Sequence, residues 1–361
     1  MHIPALDIDY KPRLPARSDY GIGLIGCGGI IDYAHLPAYR AHGLNIQACY
    51  DLQPETARGL AAKHGIDRVY EALDDLLADP AVEIVDIAVP ATAQRAIAER
   101  ALAAGKHLLC QKPLSETIAD AEAIVAAGRA AGRKVAVNQQ MRWSPGIAAA
   151  KHLVAQGLIG EPADIQIQVS VATPFEYWPW LQTSERYDLM YHTIHHMDSM
   201  RYIFGSPEWV TSVHTKYPGQ TIRPETKTVT VFEYPTGLQG LLAINHHDTS
   251  IDPYATFRFM GSEGVVSGTI GLLYDYPAGR RDTLQVASRR LATDTTIAVE
   301  LEGSWIPGAF IGPMASLMEA IQTDGTPITD AADNLETLRL VLAGYLSNAE
   351  KRAVRPSEIR A

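Results

Sequence analysis

A chain of 361 residues with 47% apolar and 20% charged side chains is too long for one ordinary hydrophobic core and too apolar to stay disordered, so two domains are expected. Lys and Arg number 31 against 41 Asp and Glu. The resulting net charge of −10 excludes a broad basic surface for nucleic acid or anionic membrane, though not a local phosphate pocket. The three cysteines, Cys27, Cys49 and Cys110, show no paired spacing and read as reduced thiols, and residues 1–19 hold three prolines but no apolar signal core. No apolar run reaches the roughly 18 to 20 residues of a membrane helix. A cytoplasmic enzyme is the expected setting, with a soluble binding protein as the plainer alternative.

From Tyr20 to about Asn138, short apolar runs alternate with Ala-rich helical stretches. Strands are predicted at 21–25, 44–50, 68–70, 84–89, 107–110 and 134–137, with helices such as 93–104 and 117–131 between them. Such alternation implies right-handed crossovers and a parallel sheet. After Trp143 the pattern changes. A helix at 145–156, with Pro145 in its first turn, leads to a strand at 164–171, a polar and aromatic connection at 173–186 and a helix at 189–204. Strands of period 2 follow at 209–216, 227–234, 238–245, 256–260, 265–269 and 295–302, before closing helices at 311–323 and 332–348. Strands without helices between them predict a mostly antiparallel open sheet. The expected fold class is therefore α/β plus α+β: an N-terminal extension (1–19), a Rossmann-type domain (20–143), and a domain (144–361) for substrate binding and oligomerisation.

The stretch from Gly21 to Ile31 is a strand running into a glycine turn and then a helix. Gly26 permits the tight turn, Gly28 lets the backbone approach a pyrophosphate, and Gly29 and Ile30 lead into a helix whose free N–H groups face the phosphates. Ile31 fills the slot where a third glycine or alanine is usual. Asp51 stands 25 residues after Gly26, at the end of the second strand. A carboxylate there can accept both adenosine ribose hydroxyls and would repel a 2′-phosphate, so NAD is expected rather than NADP. Its plainer role is to cap the helix that begins near Pro54.

Three further segments carry a family resemblance: Ala103–Pro113 (AAGKHLLCQKP), Val137–Pro145 (VNQQMRWSP) and His195–Gly205 (HHMDSMRYIFG). In this order and spacing they resemble signatures of the Gfo/Idh/MocA oxidoreductases, and the likeness runs from about Tyr20 to Ser347. It implies NAD bound by the first domain and a hydroxyl of a sugar or cyclitol oxidised, with Lys112, His195 and Tyr191 as catalytic residues. Lys112 would orient the oxygen and favour the alkoxide. His195 would be the general base, its ordinary pKa being suited to work near neutral pH. Tyr191 occupies the position, four residues before that histidine, where the family usually has an acid. Gln111 replaces the usual Glu before the lysine, and Gln94 stands where a His often follows the fourth strand. These departures mark a divergent branch.

Cofactor contacts are expected from Val89, Pro90, Gln94, Gln111, Lys112, Asn138 and Trp180 beside the glycine turn and Asp51. Substrate contacts are expected from Lys112, Arg142, Trp180, Tyr191, His192, His195 and His246, with Arg186, Arg223 and Trp305 as weaker candidates. Asp198 is open to pairing with an arginine or to direct catalysis. His192 and His196, spaced i and i+4, together with His246-His247-Asp248, offer a rival zinc reading. With no HExxH glutamate and no cysteine nearby, no metal is expected. The partner is a small sugar or polyol, and the second sheet predicts a homo-oligomer, dimer or tetramer. The alternatives to a dehydrogenase are a redox-neutral, NAD-using lyase or glycoside-cleaving enzyme, and a non-catalytic NAD or sugar sensor.

Overall fold

A computed structural model describes residues 6, 8–291 and 295–361. The described residues divide into two compact units, one drawn from 12–140, 306–338 and 360–361, the other from 6, 8–11, 141–291, 295–305 and 339–359.

The first unit is built on six strands, β1 (Ile22–Ile25), β2 (Ile46–Tyr50), β3 (Arg68–Tyr70), β4 (Ile84–Ile87), β5 (His107–Cys110) and β6 (Val135–Val137). All pair in parallel in the order β3-β2-β1-β4-β5-β6. Helices α1 (Leu36–Ala41), α2 (Pro54–His64), α3 (Leu73–Ala78), α4 (Ala91–Ala103) and α5 (Ile118–Ala131) cover it. Their ends follow local chemistry. Pro54 opens α2, whose C-terminus falls at Gly65 with φ 64°, and α5 runs from the Thr117 cap, whose side chain accepts Asp120 N–H, to Gly132 with φ 62°. The strand order reverses between β1 and β4, which opens a crevice beyond their carboxyl ends.

The core of this unit draws on sequence far from it. Phe310 and the helix α8 (Ile311–Thr323) bury Phe310, Ile311, Met314, Leu317 and Met318 among Tyr20, Ile22, Leu24 and Tyr39. Val137 N–H also donates to Thr329 C=O at 2.8 Å. Residues 306–338 thus pack with the Rossmann sheet, whereas the linear reading placed all of 144–361 in the second domain.

The second unit holds β7 (Pro162–Ser170), β8 (Trp209–Thr215), β9 (Lys227–Glu233), β10 (Gln239–Asn245), β11 (Tyr254–Gly261), β12 (Gly264–Thr269), β13 (Thr283–Ser288) and β14 (Ile297–Val299), ordered β14-β13-β12-β11-β7-β10-β9-β8. Every neighbouring pair is antiparallel except β7 with β10. Helices α6 (Pro145–Ala155) and α7 (Ile194–Phe204) belong to this unit, and α9 (Ala331–Glu350) contributes to both. In β9 burial alternates, with Thr228, Thr230 and Phe232 inward and Val229 and Val231 outward. β13 was not expected from sequence. It alternates as a strand should, but follows the charged run Arg280-Arg281-Asp282, which reads as a loop.

Candidate active site

In the glycine turn, Gly26 has φ +87°, and a Cβ there would stand 2.5 Å from Ala88 O, so only glycine fits. Gly26 N–H donates to Tyr50 C=O at 2.9 Å, which holds the turn against the end of β2. Cys27 N–H donates to Asp51 Oδ2 at 2.7 Å, and Asp51 Oδ1 accepts Gln53 N–H at 2.8 Å. The carboxylate therefore shapes the turn and also steadies the entry to α2. A Cβ on Gly28 would meet nothing within 4 Å, so the backbone there is open to a ligand. Gly28 C=O receives Ile31 and Asp32 N–H as the chain enters a π turn (Ile31–His35) that continues into α1. Val89 is half-buried and Pro90 exposed, following β4 on the other side of the switch point. An open glycine backbone beside a strand-end carboxylate fits a dinucleotide: Gly26–Ile30 would hold its pyrophosphate and Asp51 its ribose.

Beyond β5, Lys112 is half-buried and is followed by a cis bond to Pro113. Desolvation pushes its ammonium down to about 8. The two glutamines brace this segment. Gln94 Nε2 donates to Pro113 C=O at 2.7 Å, and Gln111 Oε1 accepts Lys112 N–H at 2.8 Å. That second bond fixes the Gln111 amide, so its NH2 group faces His35 Nε2 at 3.2 Å, alongside Asn138 Nδ2 at 3.1 Å. With amide donors on Nε2, the ring proton sits on Nδ1 and donates to Asp86 Oδ2 at 2.7 Å, which also accepts the Tyr39 hydroxyl at 2.7 Å. His35, Tyr39 and Asp86 were missed from sequence; they lie inside apolar runs that read only as core. Of the residues expected at the cofactor, Gln111 and Asn138 bond His35, and Gln94 bonds the Pro113 backbone.

In the second unit, a π turn (Asp188–Thr193) runs directly into α7. His195 is buried on that helix, its ring edge-on to Trp305 at 5.3 Å between centroids. Tyr191 meets the exposed Trp180 edge-on at 4.8 Å. Arg142, expected at substrate, forms a buried two-point pair with Asp198, Nε to Oδ2 at 2.7 Å and Nη2 to Oδ1 at 2.8 Å, and lies over the Tyr202 ring. This gives Asp198 its arginine partner. Arg223 pairs with Glu185, and Arg186 lies over the Tyr345 ring.

The residue that sequence reasoning missed here is Asp188. It is fully buried; Oδ1 accepts Thr193 Oγ1–H at 2.8 Å and stands 2.9 Å from His246 Nε2 and 3.3 Å from His192 Nδ1, and the Thr228 hydroxyl donates to Oδ2. Burial would raise this carboxyl, but the hydrogen bonds from His192 and His246 outweigh it and hold the group below the usual carboxylate range. Burial pushes His196, one turn further on, well below the usual histidine range. The available signal was the i, i+4 spacing of Asp188 and His192. It repeats, one turn upstream, the acid–histidine spacing sought at Tyr191 and His195.

A parallel sheet with a glycine turn at its switch point, a carboxylate closing the second strand and a desolvated lysine after the fifth defines a dinucleotide-dependent oxidoreductase. The chain belongs to the GFO/IDH/MocA oxidoreductases: residues 20–139 match the family's NAD-binding Rossmann fold and residues 147–267 its C-terminal domain. It is 30% identical over 352 residues to a D-apiose dehydrogenase of Paraburkholderia graminis, covering 94% of this chain and 90% of that protein. It is 25% identical over 306 residues to a levoglucosan dehydrogenase of Pseudarthrobacter phenanthrenivorans, covering 74% and 75%. An oxidoreductase from Agrobacterium radiobacter, solved with NAD+, L-tartaric acid and magnesium, shares the fold with a TM-score of 0.85 at 24% identity, over 95% of this chain and 100% of that one. The chain is accordingly an NAD-binding oxidoreductase acting on CH–OH groups, from a family of sugar dehydrogenases and reductases. Among the described residues, no helix is long and apolar enough to cross a membrane.

Proposed function

We propose that this enzyme oxidises a secondary hydroxyl of a sugar, sugar derivative, glycoside or cyclitol, with NAD preferred to NADP, in the cytoplasm. The observation that carries the reading is Lys112: a desolvated ammonium, pushed down to about 8, at the carboxyl edge of the NAD-binding sheet. The names of the D-apiose and levoglucosan dehydrogenases support a sugar as substrate. NAD over NADP is supported by the Asp51 carboxylate and by Arg58, which is engaged with Glu55 and Glu71 rather than available to a phosphate.

Bound NAD, held by Gly26–Ile30 and Asp51, would supply the acceptor for the hydride of the alcohol carbon. Lys112 donates a hydrogen bond to the reacting oxygen and favours its anionic form. His195 takes the hydroxyl proton, and the Trp305 ring against it fixes the imidazole's orientation. Tyr191 contributes a hydrogen bond from its phenol, and Trp180 offers an apolar ring to the sugar's C–H face. His192 and His246 are further candidates for substrate contact.

The test is kinetic. His195→Ala and Lys112→Ala should each lower kcat/KM by about 10²- to 10⁴-fold while the NAD dissociation constant stays near wild type. Near-wild-type turnover in either variant would overturn that residue's assignment.

We also propose assembly as a homo-oligomer, dimer or tetramer, through the open face of the second sheet, where Val213, Val229 and Val231 are exposed. Light scattering tests this: a multiple of the 39.3 kDa chain mass supports it, and a monomer refutes it.

A further inference from the structure

Neither the proposed hydride chemistry nor the packing of α7 requires several imidazoles around one buried carboxylate. One ligand atom from each of Asp188, His192 and His246 lies within 4.8 Å of the others, and Asp188 Oδ1 is 2.9 Å from His246 Nε2 and 3.3 Å from His192 Nδ1. Ligand atoms held tetrahedrally at about 2.0–2.1 Å from one ion stand about 3.3 Å apart, close to these spacings. As a hydrogen bond, 3.3 Å is at the long limit. Oδ1 is also crowded: it has two lone-pair directions, and the Thr193 hydroxyl, His246 and His192 all converge on it.

The set is oriented from outside. The Thr228 hydroxyl donates to the other carboxylate oxygen, and Thr173 Oγ1 lies 2.8 Å from His246 Nδ1, so Nε2 is the nitrogen that faces Asp188. Metal-binding carboxylates and histidines are characteristically held in this way. His196 gives an independent observation. It is fully buried, its ring centroid is 5.2 Å from that of His192, and among the described residues no protein group hydrogen-bonds either ring nitrogen. A buried imidazole without a partner is costly and needs an explanation.

We propose that Asp188, His192 and His246 bind one divalent transition-metal cation of the Zn²⁺ type, with His196 as the partner of a metal-bound water. Two imidazoles and one carboxylate favour Zn²⁺ or Co²⁺ over Mg²⁺ or Ca²⁺. The donor set differs from the one weighed from sequence, since Asp188 takes the place given there to Asp248.

The whole chain, stripped with a chelator and dialysed, is titrated with Zn²⁺ against a chromophoric competitor and with Co²⁺ by visible absorption. One tightly held equivalent is expected, with the intense d–d bands of four- or five-coordinate Co²⁺. Asp188→Asn and His246→Gln should each weaken Zn²⁺ binding by at least about 100-fold, and His152→Gln on α6 should leave it unchanged. His192→Gln, at the half-buried edge of the cluster, serves if the buried variants do not fold. No stoichiometric binding, an octahedral Co²⁺ spectrum, or unchanged affinity in the folded ligand variants would overturn the proposal.

Discussion

Asp51 reaches from the end of β2 to accept the backbone N–H of Cys27 at 2.7 Å, so one carboxylate sets the shape of the glycine turn. A charge-assisted hydrogen bond of this kind contributes about 1.5–3 kcal/mol. Asp51→Ala should therefore raise the NAD dissociation constant by about 10- to 100-fold, measured by calorimetry, and should narrow the preference for NAD over NADP. Unchanged affinity would show that the carboxylate only steadies the entry to α2.

Lys112 carries a cost in stability. Its ammonium is pushed from the ordinary 10.5 down to about 8, so between those values the folded chain binds fewer protons than the unfolded one and stability rises with pH. Below about 8 the full cost is present. Lys112→Met removes it and should raise stability at pH 7 by about 1–2 kcal/mol, allowing for partial solvent screening, while most turnover is lost. In the wild type kcat/KM should fall as pH rises through about 8, as the ammonium loses its proton. A destabilised Lys112→Met variant would show that the side chain is held by favourable contacts instead.

His107 and His214 work in the opposite pH range. Burial pushes both down to about 4, with the charges of Arg133 and Lys134 adding to the effect at His107, whose Nδ1 accepts Lys134 N–H at 3.0 Å. Between the ordinary 6.5 and about 4, the unfolded chain binds protons that the fold excludes, so stability falls as pH drops through that window. Each site should contribute about 1–2 kcal/mol after allowance for partial exposure. Denaturation midpoints at pH 7, 5.5 and 4 should show a shallower decline in the His107→Gln/His214→Gln variant; an unchanged decline would place the acid sensitivity elsewhere.

Phe310 is fully buried in the core of the Rossmann unit, its ring centred 5.0 Å from that of His35. Phe310→Ala should cost about 3–5 kcal/mol, read as an earlier denaturation midpoint, and should weaken NAD binding through the His35–Asp86 network. A loss under about 1 kcal/mol would mean that residues 306–338 add little to that core.

Much of the fold was legible because both sheets carry simple local signals. In the first unit, strands alternate with Ala-rich helices around Gly26 and Asp51; in the second, β9 and β10 alternate residue by residue. Long-range packing was not legible. Nothing in the periodicity of residues 311–323 shows that Met314 and Leu317 lie with Tyr20 and Leu24 rather than under the second sheet. The site divided along the same line. Lys112 and His195 were readable from motifs, whereas His35 and Asp86 sit inside apolar runs. Asp188 lies on a π turn ahead of α7, and only its i, i+4 spacing to His192 signals it in the sequence. Arg142 was placed by proximity to a motif, but its partner Asp198 lies 56 positions away.

Net oxidation of a sugar hydroxyl by NAD is the activity proposed for this chain. It is tested most directly by incubating the enzyme with a panel of sugars, sugar acids, glycosides and inositols, and counting NADH formed against carbonyl product. One NADH per oxidised molecule, with NAD outperforming NADP, is the predicted result. Product released without NADH accumulation would contradict it and assign a redox-neutral reaction to this site; a panel that yields neither product nor NADH would contradict it in favour of a binding protein.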